Sequence, residues 1–311
     1  MSRLASSAVA IACGVAGGCL YLAVFLGTPG ALILVYLTQL PLFIAGLSLG
    51  TGAATLAGLT GTLILLTVSD LLGAAIFAVL NAVPVVLLVR YALLARHRSD
   101  GTLAWYPLGE LTAWLTALAL AGIAVALLLL GGPHGLRSAL QIGVGEVLDR
   151  LSQRPVPNRD QVAESLAMVI PGIVAASWMI MAVANGALAQ GVLARFGANW
   201  RPSPDIAGLG LPLWVPVALG LAAAATVFGG APRFVGINTM ITLSVPFCLA
   251  GLAVLHLAAR RLSHPAMALV SFYVLAGLFA WPFLVVAVLG LLESGLGLRR
   301  RLLPQGVSID G

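Results

Sequence analysis

The chain has 311 residues, 60% of them hydrophobic and only 8% charged, with mean hydropathy +1.07 and net charge +6. Apolar runs this long exclude a water-soluble domain and fit a bilayer, where a spanning helix needs ~20 apolar residues. All sixteen Lys/Arg positions are Arg, scattered through loops and tails, which argues against a nucleic-acid surface and suits the cationic loops that set membrane topology.

The absence of Lys reads as the codon bias of a GC-rich genome. The runs are apolar on all sides, whereas barrel strands alternate, so helices are expected. The expectation is an all-α, polytopic transmembrane helical bundle. Nine apolar blocks cover 8–27, 31–49, 51–69, 71–94, 109–131, 165–192, 211–229, 236–258 and 266–293. They give eight to ten membrane segments, depending on whether the last block is broken. Residues 1–311 read as a single integral membrane domain, with an extramembrane amphipathic insertion at 132–164 and a basic polar tail at 299–311. The N-terminus, Met-Ser-Arg before an apolar run, has the look of a signal peptide. It is read as an uncleaved first helix because eight more apolar segments follow.

The first block carries Ala8, Ala12 and Ala16 at four-residue spacing. Cys13 and Cys19 lie there too, and Cys248 lies in a later block. With no CxxC spacing, all three read as structural thiols. The second and third blocks hold the most regular small-residue pattern: Gly46, Gly50, Ala54 and Gly58 at intervals of four, then Gly61. Such a stripe lets helix backbones approach closely, and Gly50-Thr51-Gly52 marks a bend within it. Asp70 falls in a solvated hairpin.

Segment 95–107 is polar and ends in Trp105-Tyr106-Pro107, side chains suited to the water–lipid interface. Glu110 opens the next helix, where the macrodipole favours a carboxylate. In 132–164, Leu136, Leu140, Val144, Val147, Leu148 and Leu151 recur at helical spacing. Arg137, Gln141, Asp149, Arg150 and Arg154 fall mostly off that stripe. This predicts an amphipathic helix ended by Pro155 and Pro157. Asn158 and Gln161 have capping-box spacing for the following helix, which Pro171-Gly172 should kink.

Polar residues within the spans are few: Gln39, Asn81, Asn185, Gln190, Asn238 and His256. They are either interhelical hydrogen-bonding groups or, for Gln39, Asn81, Asn185, Asn238 and His256, the lining of one ligand pocket. His256, near Arg260-Arg261, reads as interfacial. Glu293 is expected to pair with the Arg299-Arg300-Arg301 run. The loops with Arg3, with Arg90, Arg96 and Arg98, with Arg195 and Arg201, and with Arg260-Arg261 share one side, the cytoplasm. The triple Arg joins them only if the last block is broken at Trp281-Pro282, the preferred reading. No P-loop, dinucleotide fingerprint, HExxH or GxSxG occurs, so no enzyme, cofactor or metal is expected.

Several passages resemble the YybS-like family of predicted bacterial membrane proteins, domain of unknown function 2232. These are Leu40-Pro41-Leu42-Phe43-Ile44-Ala45-Gly46, Asn81-Ala82-Val83-Pro84, Trp105-Tyr106-Pro107-Leu108-Gly109, Gly251-Leu252-Ala253-Val254-Leu255-His256 and Leu289-Gly290-Leu291-Leu292-Glu293. The family pattern often carries Asp where Glu293 stands and an aromatic residue before the Arg run. The family is in turn distantly similar to substrate-binding subunits of energy-coupling-factor transporters. That resemblance implies a small-molecule binding or transport subunit of the bacterial inner membrane, with the N-terminus cytoplasmic. Its partners would be a membrane coupling subunit, contacted through Ala8, Ala12 and Ala16, and ATPases. This chain departs from it in having more segments and the 132–164 insertion. The alternative is a non-transporting scaffold or regulator docking through 136–154.

Overall fold

The computed structural model describes residues 2–99, 101–151, 157–279 and 281–299. The expected residues Arg154, Pro155 and Arg300–Gly311 lie outside them. Among the described residues, apart from one short hairpin, β1 (Ala95–His97) with β2 (Leu103–Trp105), all regular structure is helical. The helices are α1 (Arg3–Leu22), α2 (Pro29–Tyr36), α3 (Gln39–Leu49), α4 (Thr51–Val68), α5 (Leu71–Phe77) and α6 (Val83–Ala92). Then come α7 (Leu108–Leu129), α8 (Gly132–Leu151), α9 (Arg159–Arg195), α10 (Trp214–Val227), α11 (Ala231–Ala259), α12 (Pro265–Phe279) and α13 (Trp281–Leu296).

The all-α expectation holds. Among the described residues seven helical spans are long and apolar enough to cross a bilayer, and eight if the bent pair α12–α13 is one. The remaining apolar block is α10, whose 14 residues fall short of a full span. This is a multi-pass membrane protein. Its outward side chains fit that solvent, since Leu63, Val79, Leu128, Val174, Leu221 and Val270 are all exposed.

The chain gathers into two compact units. The first comprises the chain up to Leu111 together with Ile180–Asp205, and the second Thr112–Met179 with the chain from Ile206 onward. In the first unit, α1 buries Ala10, Gly14, Gly17 and Gly18. A methyl group on Gly14 would collide with the Ala57 carbonyl of α4, and one on Gly17 with Leu42 of α3. At Gly14 α1 therefore meets the α4 backbone directly, the contact small residues permit in lipid, and Gly17 makes room for the Leu42 side chain. Leu42, Phe43, Leu65, Phe77, Val85 and Val89 fill the core.

Gly50 separates α3 from α4 at φ +94°, so the Gly46–Gly58 pattern is divided between two helices. Gly46 packs on Val89 and Ala54, Gly58 on Ala82 and Gly61 on Phe77. Ala54 is fully buried. Asp70 caps α5 by accepting from the Gly73 N–H at 2.7 Å.

In the second unit α11 is central, with 61% of its apolar window buried against 28–39% for the other unbent spans among the described residues. Its closest neighbour is α13. A methyl on Gly251 would overlap the Val286 carbonyl, and one on Gly290 the Phe247 carbonyl. The helix α8 turns Leu136 inward and half-buries Leu140, Val144 and Leu148. Val147 is exposed, a correction to the expected stripe. It lies three residues from Val144 but off the 136–140–144–148 line, which sets the packed face. Arg137 is half-buried and ion-paired to Glu164. Asn158 stands at φ +54°, outside the extended region an N-cap takes, so no capping box opens α9. Arg159 instead ties that corner to α8, with Nε and Nη2 each 2.8 Å from the Asp149 carboxylate.

The last block is broken as expected, with α12 and α13 bent by 118°. Glu293 accepts from the Arg299 N–H at 2.9 Å and from its Nε at 2.7 Å, and the pair is buried. Arg299 Nη1 also donates to the Ala207 carbonyl at 2.7 Å. The chain from Ala207 to Arg299 thus starts and ends on one face of this unit.

Candidate functional site

Proline decides where the buried polar groups go. A proline has no N–H to donate and its ring clashes with the carbonyl four residues back. That carbonyl, or one beside it, then needs another donor, because lipid offers none.

Three buried carboxamides answer this need. Pro41 interrupts the helix at Leu37-Thr38, where the N–H groups of Leu37, Thr38 and Leu40 turn to the carbonyls of Leu34, Val35 and Leu37. Leu40 no longer serves the Tyr36 carbonyl. Asn185 of α9 does so instead, its Nδ2 donating to Tyr36 at 2.6 Å and to Met181 at 2.8 Å. Pro84 stands four residues after Leu80, beside a π-helical turn, Ala78–Ala82. The Leu80 carbonyl accepts from Gln39 Nε2 at 3.1 Å.

In the second unit Pro171 lies inside α9. Asn238 of α11 accepts from the Gly172 N–H at 2.6 Å and donates to the Met168 carbonyl at 2.9 Å. Those two groups are the pair an unbroken helix would join directly, so the carboxamide stands in for one rung of the ladder. Asn238 also donates to Phe234 at 2.8 Å.

The three amides differ in what remains. Asn238 is fully engaged with backbone and has nothing to offer a ligand. Gln39 Oε1 and Asn185 Oδ1 are buried and make no hydrogen bond to the protein, and neither does the hydroxyl of Thr38. Thr38, Gln39 and Asn185 are 1%, 0% and 2% exposed. All three belong to the first unit, around the break between α2 and α3.

The other expected pocket residues are placed as follows. Asn81 is buried within the π-helical turn of the first unit. His256 is half-buried near the end of α11, its Nδ1 2.8 Å from the Leu252 carbonyl and its ring 6.0 Å from that of Tyr273. Asn238 and His256 belong to the second unit, whereas Gln39, Asn81 and Asn185 belong to the first. Gln190 donates to the Arg201 carbonyl at 2.7 Å. Ala8, Ala12 and Ala16 are exposed on α1, away from its packed glycines.

Two groups escaped the sequence reading. Thr38 did, because a threonine at the end of an apolar block gives no signal. Arg201, expected as one loop arginine among several, is buried. It donates to the Ala92 carbonyl at 3.1 Å and the Tyr106 carbonyl at 2.9 Å, strapping the end of α6 to the hairpin. Burial lowers its pKa from the ordinary arginine value. Among the described residues no three His, Cys, Asp or Glu side chains form a group that could hold a metal.

Compared with known proteins, the chain matches no protein-family model, no curated protein and no solved structure.

Proposed function

We propose that this multi-pass membrane protein is a small-molecule binding or transport subunit of a bacterial inner membrane, its N-terminus cytoplasmic. The observation that carries this reading is the interrupted α2–α3 segment, where three buried side-chain oxygens have no partner in the protein. Unpartnered polar groups in lipid are costly, and broken helices at membrane depth are where transporters place their sites. The resemblance to YybS-like proteins, and through them to energy-coupling-factor substrate-binding subunits, supports the same reading. In that scheme the exposed Ala8, Ala12 and Ala16 face a coupling subunit, and partner ATPases supply the energy. A non-transporting scaffold is the second reading. It is favoured by α8, an extramembrane helix that leaves Ile142 and Val147 exposed.

Gentle purification of tagged protein from its native membrane, followed by mass spectrometry, tests the choice. Recovery of an ATPase pair with a coupling subunit, or of a stoichiometric small molecule, is the expected result. Recovery of other membrane proteins alone, with no ligand, would overturn the transport reading in favour of the scaffold.

A further inference from the structure

The hairpin between α6 and α7 carries a pocket far from the amides just described in chain position and in chemistry. The spans Leu71–Ala92 and Leu108–Leu129 flank it, so residues 93–107 lie where the chain leaves the apolar slab. The hairpin is fixed there from several sides. The Tyr106 N–H donates to the Leu94 carbonyl at 2.9 Å, and the Tyr91 and Tyr106 rings lie 5.3 Å apart. The buried Arg201 guanidinium donates to the carbonyls of Ala92 and Tyr106 at the hairpin's base. Carbonyls leave its positive charge in place.

A cavity of about 310 Å³ sits on this frame, and Arg96, Trp105, Tyr106, Leu94, Ala104 and Pro107 are among its lining. That volume is at the lower end for small-molecule sites. It admits a headgroup and leaves acyl chains in the bilayer. Arg96 is exposed, and among the described residues no hydrogen bond or ion pair engages its guanidinium. A guanidinium presents a planar fork of donors that matches phosphate oxygens. Trp and Tyr side chains favour the level of the headgroups. Arg90, in the last turn of α6, and Arg98 are exposed as well, and basic groups beside a span attract anionic lipid. A free phosphate ion gains little from Leu94, Ala104 and Pro107, whereas the glycerol and first acyl carbons of a lipid suit them.

We propose that this pocket binds the headgroup of an anionic phospholipid, with Arg96 as the phosphate ligand and Trp105 and Tyr106 against the glycerol region. The site goes beyond the binding-subunit reading and is equally compatible with a scaffold.

The test uses the full chain, stripped of lipid in detergent. Phosphatidylglycerol or phosphatidylcholine with identical acyl chains is titrated in, and retained lipid is read by native mass spectrometry. The expected result is phosphatidylglycerol held at concentrations where phosphatidylcholine is not, with a preference that weakens in salt. Arg96→Gln should fold, since the side chain is exposed, and should bind phosphatidylglycerol about tenfold more weakly, the loss of one good charge-assisted contact. Arg96→Lys keeps the charge without the fork and should fall between. Arg90→Gln removes the same charge outside the pocket lining and should cost clearly less.

Equal retention of the two lipids overturns the proposal, as does wild-type affinity in Arg96→Gln. Equal losses in Arg90→Gln and Arg96→Gln also overturn it, since a diffuse surface charge then suffices. Displacement of the lipid by equimolar inorganic phosphate would make this a site for soluble anions and overturn the lipid assignment.

Discussion

Replacing Asn238 with Ala should destabilise the second unit by about 3 kcal/mol. The substitution orphans the Gly172 N–H and the Met168 carbonyl beside Pro171. Two buried backbone groups without partners cost roughly 1–3 kcal/mol each. Counted the other way, three hydrogen bonds in a membrane setting at about 0.6–1.7 kcal/mol apiece give a similar sum. Asn238→Asp keeps the acceptor for Gly172 but turns an oxygen toward the Met168 and Phe234 carbonyls, so it should be no better than Ala. The assay is reversible unfolding in mixed micelles, followed by helicity. The decisive measurement is a double-mutant cycle with Pro171→Ala. That change restores an N–H to α9 and lets Gly172 bond Met168 directly, so Asn238→Ala should then cost at least 1 kcal/mol less, about the worth of one hydrogen bond. If Asn238→Ala alone lies within about 0.5 kcal/mol of wild type, or the two changes simply add, the carboxamide is not replacing a helix rung.

Gly50→Leu and Gly58→Leu should both impair folding. Gly50 needs φ +94° with Trp200 beside it, and a side chain on Gly58 meets Ala82 at 2.9 Å. Normal expression and melting of both variants would refute the close-packing argument. The Arg159 guanidinium holds the Asp149 carboxyl below its ordinary pKa of 3.8. The folded value is the lower one, so the pair's contribution is complete above pH 3.8 and is lost as pH falls through the folded value. Hydrogen exchange in α8 should therefore be flat from about pH 5 upward once corrected for intrinsic rates, and faster at neutral pH in Asp149→Asn. An unchanged rate in that variant would argue against the tie. A cysteine placed by Gly208→Cys, in a background lacking Cys13, Cys19 and Cys248, should label from the same side as a C-terminal tag. Labelling from opposite sides would contradict the Arg299–Ala207 contact.

Most of the spans were legible because each is an apolar run close to a membrane thickness, and the break in the last block because Trp281-Pro282 interrupts one. The amides were legible as costly residues, but their partners were not. Asn185 serves a carbonyl 149 residues away, Asn238 one 70 away and Gln39 one 41 away. No local pattern encodes such distances. The proline half of each pair was visible in the sequence, since Pro41, Pro84 and Pro171 each disturb a carbonyl in the preceding turn. What sequence could not supply was which amide reached which carbonyl, and therefore which amide kept an oxygen to spare. Gly251 and Gly290 were hidden for a related reason. Glycine abounds in this chain, and only the crossing of α11 and α13 makes these two the points of backbone contact.

The same logic separates stability from function in the buried polar set. Had the five residues been retained only to satisfy freed carbonyls, each would resemble Asn238, with every donor and acceptor engaged. Gln39 and Asn185 do satisfy freed carbonyls with their nitrogens, and that alone accounts for an amide at each position. It does not account for leaving both oxygens, and the Thr38 hydroxyl of the same unit, buried and unpaired. Each orphaned acceptor costs on the order of 1–3 kcal/mol. An apolar side chain at position 38 would remove one such cost without losing a protein hydrogen bond. The excess of acceptors at one break, against full satisfaction at the other, is what distinguishes a candidate ligand site from a helix staple in this protein.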